Sequence, residues 1–198
     1  MLRETALKYI PHEIRLTYDD YCRIPSGERY ELIEGALRRM APAPSVFHQE
    51  ISKRLGRLLL EWIEDNNLGK VYYAPIDVVL SQHDVVQPDL LYISKERLGI
   101  IHTANIQGAP DLVVEILSPN TAEWDRETKR RIYARYGVRE LWLVDPDGRS
   151  IEVAIHNGRE LATLQVYPPG TTMESKLLAG FALEVDNLFR STHEVRDE

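Results

Sequence analysis

The chain contains 198 residues, of which 43% are hydrophobic and 28% charged, a composition that is ordinary for a globular protein and excludes a disordered or collagen-like chain. Its 24 basic and 31 acidic side chains give a net charge of −7, which disfavours a general nucleic-acid coat protein because such proteins are usually basic. No apolar run reaches the roughly 20 residues of a membrane span, and the first residues lack the apolar core of a signal peptide. The single cysteine, Cys22, allows no internal disulfide, which fits a reducing cytoplasm. The length favours one domain over residues 1–198.

The first part of the chain predicts a hairpin followed by a long helix. A short helix is expected near Tyr18–Ile24. In Arg29–Met40, Gly35 separates two short runs, which is typical of a β-hairpin. Over Phe47–Asn66, apolar residues recur at spacings of three and four, and Ser45 can cap the first turn, so the pattern predicts an amphipathic helix.

The middle of the chain predicts β-structure. Lys70–Ser81 and Val85–Ser94 are β-branched and aromatic runs separated by three polar residues, which indicates a second hairpin. Pro75 and Pro88 lie inside these runs. Because proline cannot donate to a strand ladder, we expect them to mark bulges or a sheet edge.

The last part of the chain predicts a strand–helix–strand crossover. Leu112–Leu117 is an apolar run typical of a strand covered on both faces, a helix is expected over Asp125–Tyr136, and strands follow over Glu140–Asp145 and Ser150–Ile155. The pattern weakens beyond residue 161. A final apolar patch, Leu177–Phe189, is with the amino-terminal hairpin a candidate surface for self-association. The fold class expected is α/β with a mixed sheet.

Two carboxylates lie in apolar surroundings. Asp89 follows Gln87 and Pro88 in one predicted strand, and Glu115 interrupts the next apolar run. A buried carboxylate is costly unless a cation or hydrogen-bond donors meet it. If the two strands bring these groups together, they form a hard-oxygen site of the sort that magnesium or manganese prefers. The alternative is that each carboxylate lies at a strand end and faces solvent or a local salt bridge.

Lys129 is the candidate cation for this site. On the predicted helix, Asp125, Lys129, Tyr133 and Tyr136 form one stripe that should pack toward the sheet. A lysine on a packed stripe is unusual, and its ammonium could orient a water or contact a phosphate. The alternative is a surface lysine paired with Asp125, which we expect to be the helix N-cap.

Several linked segments of the sequence resemble the Uma-type family of restriction-like endonucleases. The resemblance covers about residues 30–189 and rests on Tyr30–Gly35, His48, Gln87–Leu90, Ala109–Pro119, Asp125, Lys129, Tyr133, Gly137-Val138 and Leu141–Pro146. This family is assigned to the PD-(D/E)xK nuclease superfamily. The resemblance therefore implies a restriction-endonuclease-like mixed β-sheet flanked by helices, here with an N-terminal β-hairpin extension, and a metal-dependent phosphodiesterase site.

The family resemblance also implies particular site residues. Asp89, Glu115 and the carbonyl of Ile116 would hold Mg²⁺ or Mn²⁺. The superfamily motif places its lysine two residues after the glutamate, where this chain has Leu117, and the family interpretation moves that lysine to Lys129.

Glu31 and His48 are weaker candidates for the same site. Glu31 would add a carboxylate, and His48 would contact phosphate or a water on the metal. Alternatively, Glu31 is an ordinary hairpin residue and His48 a hydrogen-bonding residue at the helix start.

The sequence thus predicts a Mg²⁺-dependent endonuclease acting on nucleic acid, with DNA and a homodimer preferred. Two alternatives stay open. The first is a catalytically inactive nuclease fold that serves as a binding or assembly module, which the acidic charge and Leu117 favour. The second is a metal-free hydrolase that uses Asp89 and Glu115 as an acid/base pair.

Overall fold

The amino-terminal part folds as the sequence predicts. The computed structural model describes residues 15–24, 29–40 and 43–190. After α1 (Tyr18–Tyr21), the strands β1 (Tyr30–Ile33) and β2 (Ala36–Arg39) form the expected hairpin. Its turn residues Glu34 and Gly35 have φ of 53° and 85°, as a two-residue turn between right-twisted strands requires. The long helix α2 spans Val46–Asp65.

The two long strands expected in the middle of the chain are each divided, so their predicted bounds are wrong. The first becomes β3 (Gly69–Tyr73) and β4 (Val78–Ser81), and the second becomes β5 (Asp84–Val86) and β6 (Leu90–Ser94). β4 pairs with β5 in one sheet, whereas β3 pairs with β6 in another. The divisions fall at the two prolines because neither has an N–H to give to a ladder.

The predicted crossover is confirmed. β8 (Leu112–Ile116) lies parallel to β9 (Glu140–Asp145). Between them run α3 (Ala122–Trp124), a π-helical turn (Asp125–Lys129) and α4 (Arg130–Arg135). The remaining elements are a 3-10 helix (Lys95–Ile100), β7 (Ile106–Gln107), β10 (Ser150–His156), β11 (Leu161–Tyr167), β12 (Thr172–Glu174), β13 (Ala182–Glu184) and α5 (Val185–Leu188).

Within residues 15–24, 29–40 and 43–190, the strands form two larger sheets and a two-stranded ribbon. The six-stranded sheet has the order β11-β10-β9-β8-β6-β3, and its only parallel pair within the described residues is β8 with β9. The five-stranded sheet has the order β2-β1-β5-β4-β7. This is the expected mixed α/β architecture with flanking helices. The strand β11 at the sheet edge was not predicted, because four consecutive residues near its middle are exposed and its apolar alternation is weak.

A separate hydrophobic core covers each face of the six-stranded sheet. On one face, Leu55 and Leu59 of α2 pack with Val114 and Trp142. On the other face, Val113 and Leu117 pack with residues of α4 and the second sheet. Because side chains alternate along a strand, Glu115 must point to the same face as Val113, toward α4.

The carboxy-terminal apolar patch is part of the first core. Six of its side chains are no more than 5% exposed: Leu178, Phe181, Leu183, Val185, Leu188 and Phe189. The expectation that this patch is a self-association surface is therefore wrong, since the chain buries these side chains itself.

In the described ranges, none of the helices has the length and hydropathy of a membrane span. The amino-terminal residues on which the signal-peptide expectation rests lie outside those ranges.

Candidate active site

A cavity of about 620 Å³ opens where the carboxyl ends of β8 and β9 meet the β1–β2 hairpin and the start of α2. All the predicted side chains line it: Asp89, Glu115, Lys129, Glu31 and His48, together with the Ile116 residue whose carbonyl was expected to bind metal. The fold therefore brings to one place residues that are far apart in the sequence.

Strand pairing places the two principal carboxylates side by side. Leu90 of β6 lies opposite Val114 of β8, so the next residues along these antiparallel strands, Asp89 and Glu115, are neighbours. Oδ2 of Asp89 accepts a hydrogen bond of 2.8 Å from the Ile116 backbone N–H. This bond ties the start of β6 to the end of β8 and fixes the orientation of the Asp89 carboxylate.

Lys129 points into the site and bridges three carboxylates. Its Nζ lies 2.9 Å from Oε1 of Glu31, 3.1 Å from Oε1 of Glu115 and 3.6 Å from Oδ1 of Asp125. Lys129 and its three partners are all buried residues. The alternative of a surface lysine is wrong, although the expected pairing with Asp125 is present.

Asp125 is not the helix N-cap, so that prediction is wrong. The helix begins three residues earlier, after Thr121, and Asp125 lies in the π-helical turn with its carboxylate directed inward. π-Helical turns occur often at functional sites, because the wider turn redirects side chains. Here the turn contains both Asp125 and Lys129. The predicted inward stripe is correct for these two residues and Tyr133, which are buried, whereas Tyr136 is half-buried.

Tyr133 completes this cluster and was not predicted as a site residue. Its hydroxyl donates a hydrogen bond of 2.5 Å to Oε1 of Glu115, the oxygen that Lys129 also contacts. The sequence placed Tyr133 on the buried stripe, one turn after Lys129, but a buried tyrosine on a helix is usually a core residue. Only the tertiary structure shows that its hydroxyl reaches the carboxylate.

The cluster carries excess negative charge. Four carboxylates, those of Glu31, Asp89, Glu115 and Asp125, lie with the Lys129 ammonium in the inner part of the cavity, whose lining also includes Asp147 and three arginines. Burial, reinforced by the neighbouring carboxylates, raises the pKa of Glu115 well above its usual range despite Lys129. Burial likewise raises the pKa of Asp125. The pKa of Lys129 is also raised, because its three carboxylate partners outweigh the effect of burial.

His48 lies on the other side of the site, against Asp89. The side chain of Ser45 caps the first turn of α2 by accepting the His48 N–H, which places the imidazole at the cavity. Its Nε2 lies 3.3 Å from Oδ2 of Asp89. Burial lowers the pKa of His48, but hydrogen bonding and charge from Asp89 and the Ile116 carbonyl outweigh it, so the pKa is raised overall.

The donor set fits a hard divalent cation that keeps most of its water. Within the described residues, no three His, Cys, Asp or Glu side chains are grouped closely enough to hold a metal alone. Magnesium, however, is commonly bound by one or two carboxylates with waters and substrate oxygens. Asp89, Glu115 and the Ile116 carbonyl supply oxygen ligands, and the excess of carboxylates in the cluster around Lys129 would favour a divalent cation.

A mixed sheet flanked by helices, with acidic residues at the ends of its central strands, places the protein in the restriction-endonuclease-like class. A family model described as Uma2, "Putative restriction endonuclease", matches residues 17–186. The chain belongs to this family.

A solved structure supports the same fold. It is described as a "putative nuclease belonging to DUF820" from Anabaena variabilis, and it superposes with a TM-score of 0.74 at 21% sequence identity. The alignment covers 88% of this chain and 97% of that one. The chain matches none of the curated proteins compared with it.

Proposed function

We propose that the protein is a Mg²⁺- or Mn²⁺-dependent endonuclease that hydrolyses a nucleic-acid phosphodiester, with DNA as its substrate. The observation that carries this proposal is the cluster inside the cavity in which the carboxylates of Glu31, Asp89, Glu115 and Asp125 lie with one buried lysine. A divalent ion would neutralise most of the excess charge, whereas a site built only for stability would not need so many acids around one cation.

The carboxylates of Asp89 and Glu115, with the carbonyl of Ile116, would hold the ion. When bound, it would offset phosphate charge and make a water more acidic. The Ile116 N–H holds Asp89, and Tyr133 holds Glu115, so both carboxylates are oriented before any ion or substrate arrives. Such outer hydrogen bonds commonly tune the affinity of a metal site.

Lys129 and His48 would act on the phosphate and the attacking water. Lys129 carries a fixed positive charge beside Glu115, where it can orient a water or stabilise charge that develops on the phosphate oxygens. His48 presents an imidazole of raised pKa on the opposite side of Asp89, where its protonated form can contact a phosphate oxygen. Glu31 holds the Lys129 ammonium from the hairpin side.

The test is cleavage of plasmid DNA and of labelled RNA by the purified protein with Mg²⁺ or Mn²⁺. Glu115→Gln should abolish cleavage while circular dichroism shows an unchanged fold. Glu127→Gln is the matched control, because Glu127 is exposed in the same π-helical turn and should leave cleavage intact. Metal-dependent cleavage that survives in Glu115→Gln would refute the assignment, and cleavage that persists in EDTA would favour a metal-free acid/base pair.

Two observations favour a second candidate, a nuclease fold that binds nucleic acid without cutting it. Lys129 already bridges Glu31, Glu115 and Asp125, and the superfamily's usual lysine position holds Leu117. In a binding module of this kind, manganese titration should show no heat that depends on the carboxylates, and no nucleic acid should be cut.

A dimeric state, which would pair two sites for both strands of a duplex, can be measured by sedimentation.

A further inference from the structure

The mouth of the cavity is basic although its interior is acidic. Arg38 and Arg39 of β2, with Arg29 directly before β1, line the same cavity as the carboxylates. In a chain of net charge −7, arginines beside four acids would be expected to pair with them. Two of these arginines, Arg29 and Arg38, are instead held by uncharged partners.

Arg38 is held by an aromatic ring. Its guanidinium carbon lies 3.6 Å from the ring centroid of Trp124, which is the geometry of a cation–π stack. Across the described residues, Arg38 makes no ion pair, and its Nη1 is buried without a hydrogen-bond partner. A buried donor without a partner is costly and rare, and in native proteins it calls for an explanation such as a missing ligand.

Arg29 is held by an amide. Its Nε and Nη2 donate hydrogen bonds of 3.1 and 2.6 Å to Oε1 of Gln87, two residues before Asp89. Gln87 is itself fixed, because its side-chain N–H₂ donates to Asp77 and its backbone N–H donates to Glu31. An amide oxygen orients a guanidinium without neutralising it, so Arg29 also presents its charge at the rim.

We propose that Arg38, stacked on Trp124, and Arg29, held by Gln87, bind the phosphate next to the one that reaches the carboxylates. This inference rests on the proposed function and names how the polynucleotide backbone is held. The acidic interior repels a phosphate unless metal is present, so the arginines supply the attraction that holds the strand at the mouth. Trp124 is a positioning residue that acts through Arg38.

The experiment uses full-length Glu115→Gln protein, in which cleavage is off, and measures fluorescence anisotropy of labelled oligonucleotides about 20 residues long. Single-stranded DNA, duplex DNA and single-stranded RNA are compared, and the tightest is titrated between roughly 50 and 200 mM salt. Adding Arg38→Ala should weaken binding about tenfold and reduce the slope of log K against log salt by about 0.7 to 0.9, because one phosphate contact is lost. Arg29→Ala should act in the same direction.

Arg57→Ala is the matched control, since Arg57 is exposed on α2 and lies outside the cavity. Trp124→Phe should retain the affinity of the parent, whereas Trp124→Leu should weaken binding by no more than Arg38→Ala does. Combining Trp124→Leu with Arg38→Ala should add no further loss if the ring acts through the arginine.

The possible outcomes separate this inference from the proposed function. If none of the nucleic acids binds the parent protein, the proposed function fails. If the parent binds and the wild type cleaves, but Arg38→Ala leaves both affinity and salt slope unchanged, the proposed function stands and the phosphate contact by Arg38 is refuted. A weakened affinity with an unchanged salt slope would also refute it. Loss of a phosphate contact must reduce the slope, so an unchanged slope would show that Arg38→Ala weakens binding through a structural defect instead.

Discussion

Replacing Lys129 by methionine tests whether the buried cluster is a charged network. Methionine keeps a similar length and removes the ammonium that lies within 3.6 Å of Glu31, Glu115 and Asp125. Breaking a buried ion pair by removing one partner typically costs about 3–5 kcal/mol. Against a usual total of about 5–15 kcal/mol, the variant should remain folded but be clearly weakened.

The cost of this substitution should depend on pH. Burial already raises the pKa of Glu115 and of Asp125, and removing the ammonium raises both further. A raised folded-state pKa stabilises the protein below the unfolded-state pKa, and that contribution is lost as the pH rises through the folded-state pKa. The deficit of Lys129→Met should therefore be largest above neutral pH and shrink as the pH falls toward the ordinary carboxyl pKa, because the unpaired acids then take up protons.

The assay is urea unfolding followed by circular dichroism at several pH values. For a protein of this size, each 1 kcal/mol lowers Tm by about 2–4 °C, so thermal scans should show a loss of about 6–20 °C near pH 8. Arg131→Met is the control, because Arg131 is an exposed cation on α4 and its loss should cost under about 0.5 kcal/mol. The reasoning is refuted if Lys129→Met matches the wild type, or if its deficit does not vary with pH.

Three further predictions concern the metal ligands, Tyr133 and a buried carboxylate outside the cavity, Glu140. Manganese at about 100 times its Kd should stabilise the folded wild type by about 2.7 kcal/mol, which a thermal-shift assay detects as a higher Tm. Asp89→Asn or Glu115→Gln should remove this increase in Tm, and an equal increase in these variants would contradict the metal site. Tyr133→Phe removes the hydroxyl that donates to Glu115, and it should weaken manganese binding about 10- to 100-fold. Calorimetric titration measures this affinity, and an unchanged value would show that the hydrogen bond does not tune the site. Glu140 accepts bonds from the Trp142 indole and the Ser175 hydroxyl, so Glu140→Ala should cost about 1–3 kcal/mol in urea unfolding yet leave the cleavage rate of the folded protein unchanged.

Much of the architecture could be predicted because its signals are local. The hairpin at Gly35, the helix α2 and the β8–β9 crossover follow from turn residues and from periodic apolar side chains, which act within a few residues of the chain. The bounds in the middle of the chain could not be predicted, because Pro75 and Pro88 mark interruptions without showing that the chain passes between two sheets there.

The candidate site was predictable only in part. Asp89 and Glu115 stood out because charge among apolar residues is costly, and Lys129 because it lies on a packed stripe. Nothing local distinguishes Asp125 from an ordinary N-cap, and its inward direction depends on a helix that begins earlier and widens into a π-helical turn.

The sequence by itself was enough to identify the periodic helices and strands and the few charged residues that lie within apolar segments. Both are properties of short segments of the chain. Only the tertiary structure decided which of these charges meet. Arg38 faces Trp124 across more than 80 residues, and Tyr133 reaches Glu115 from a different element. Such encounters are set by how sheets and helices pack against one another, and no spacing within a single segment encodes them.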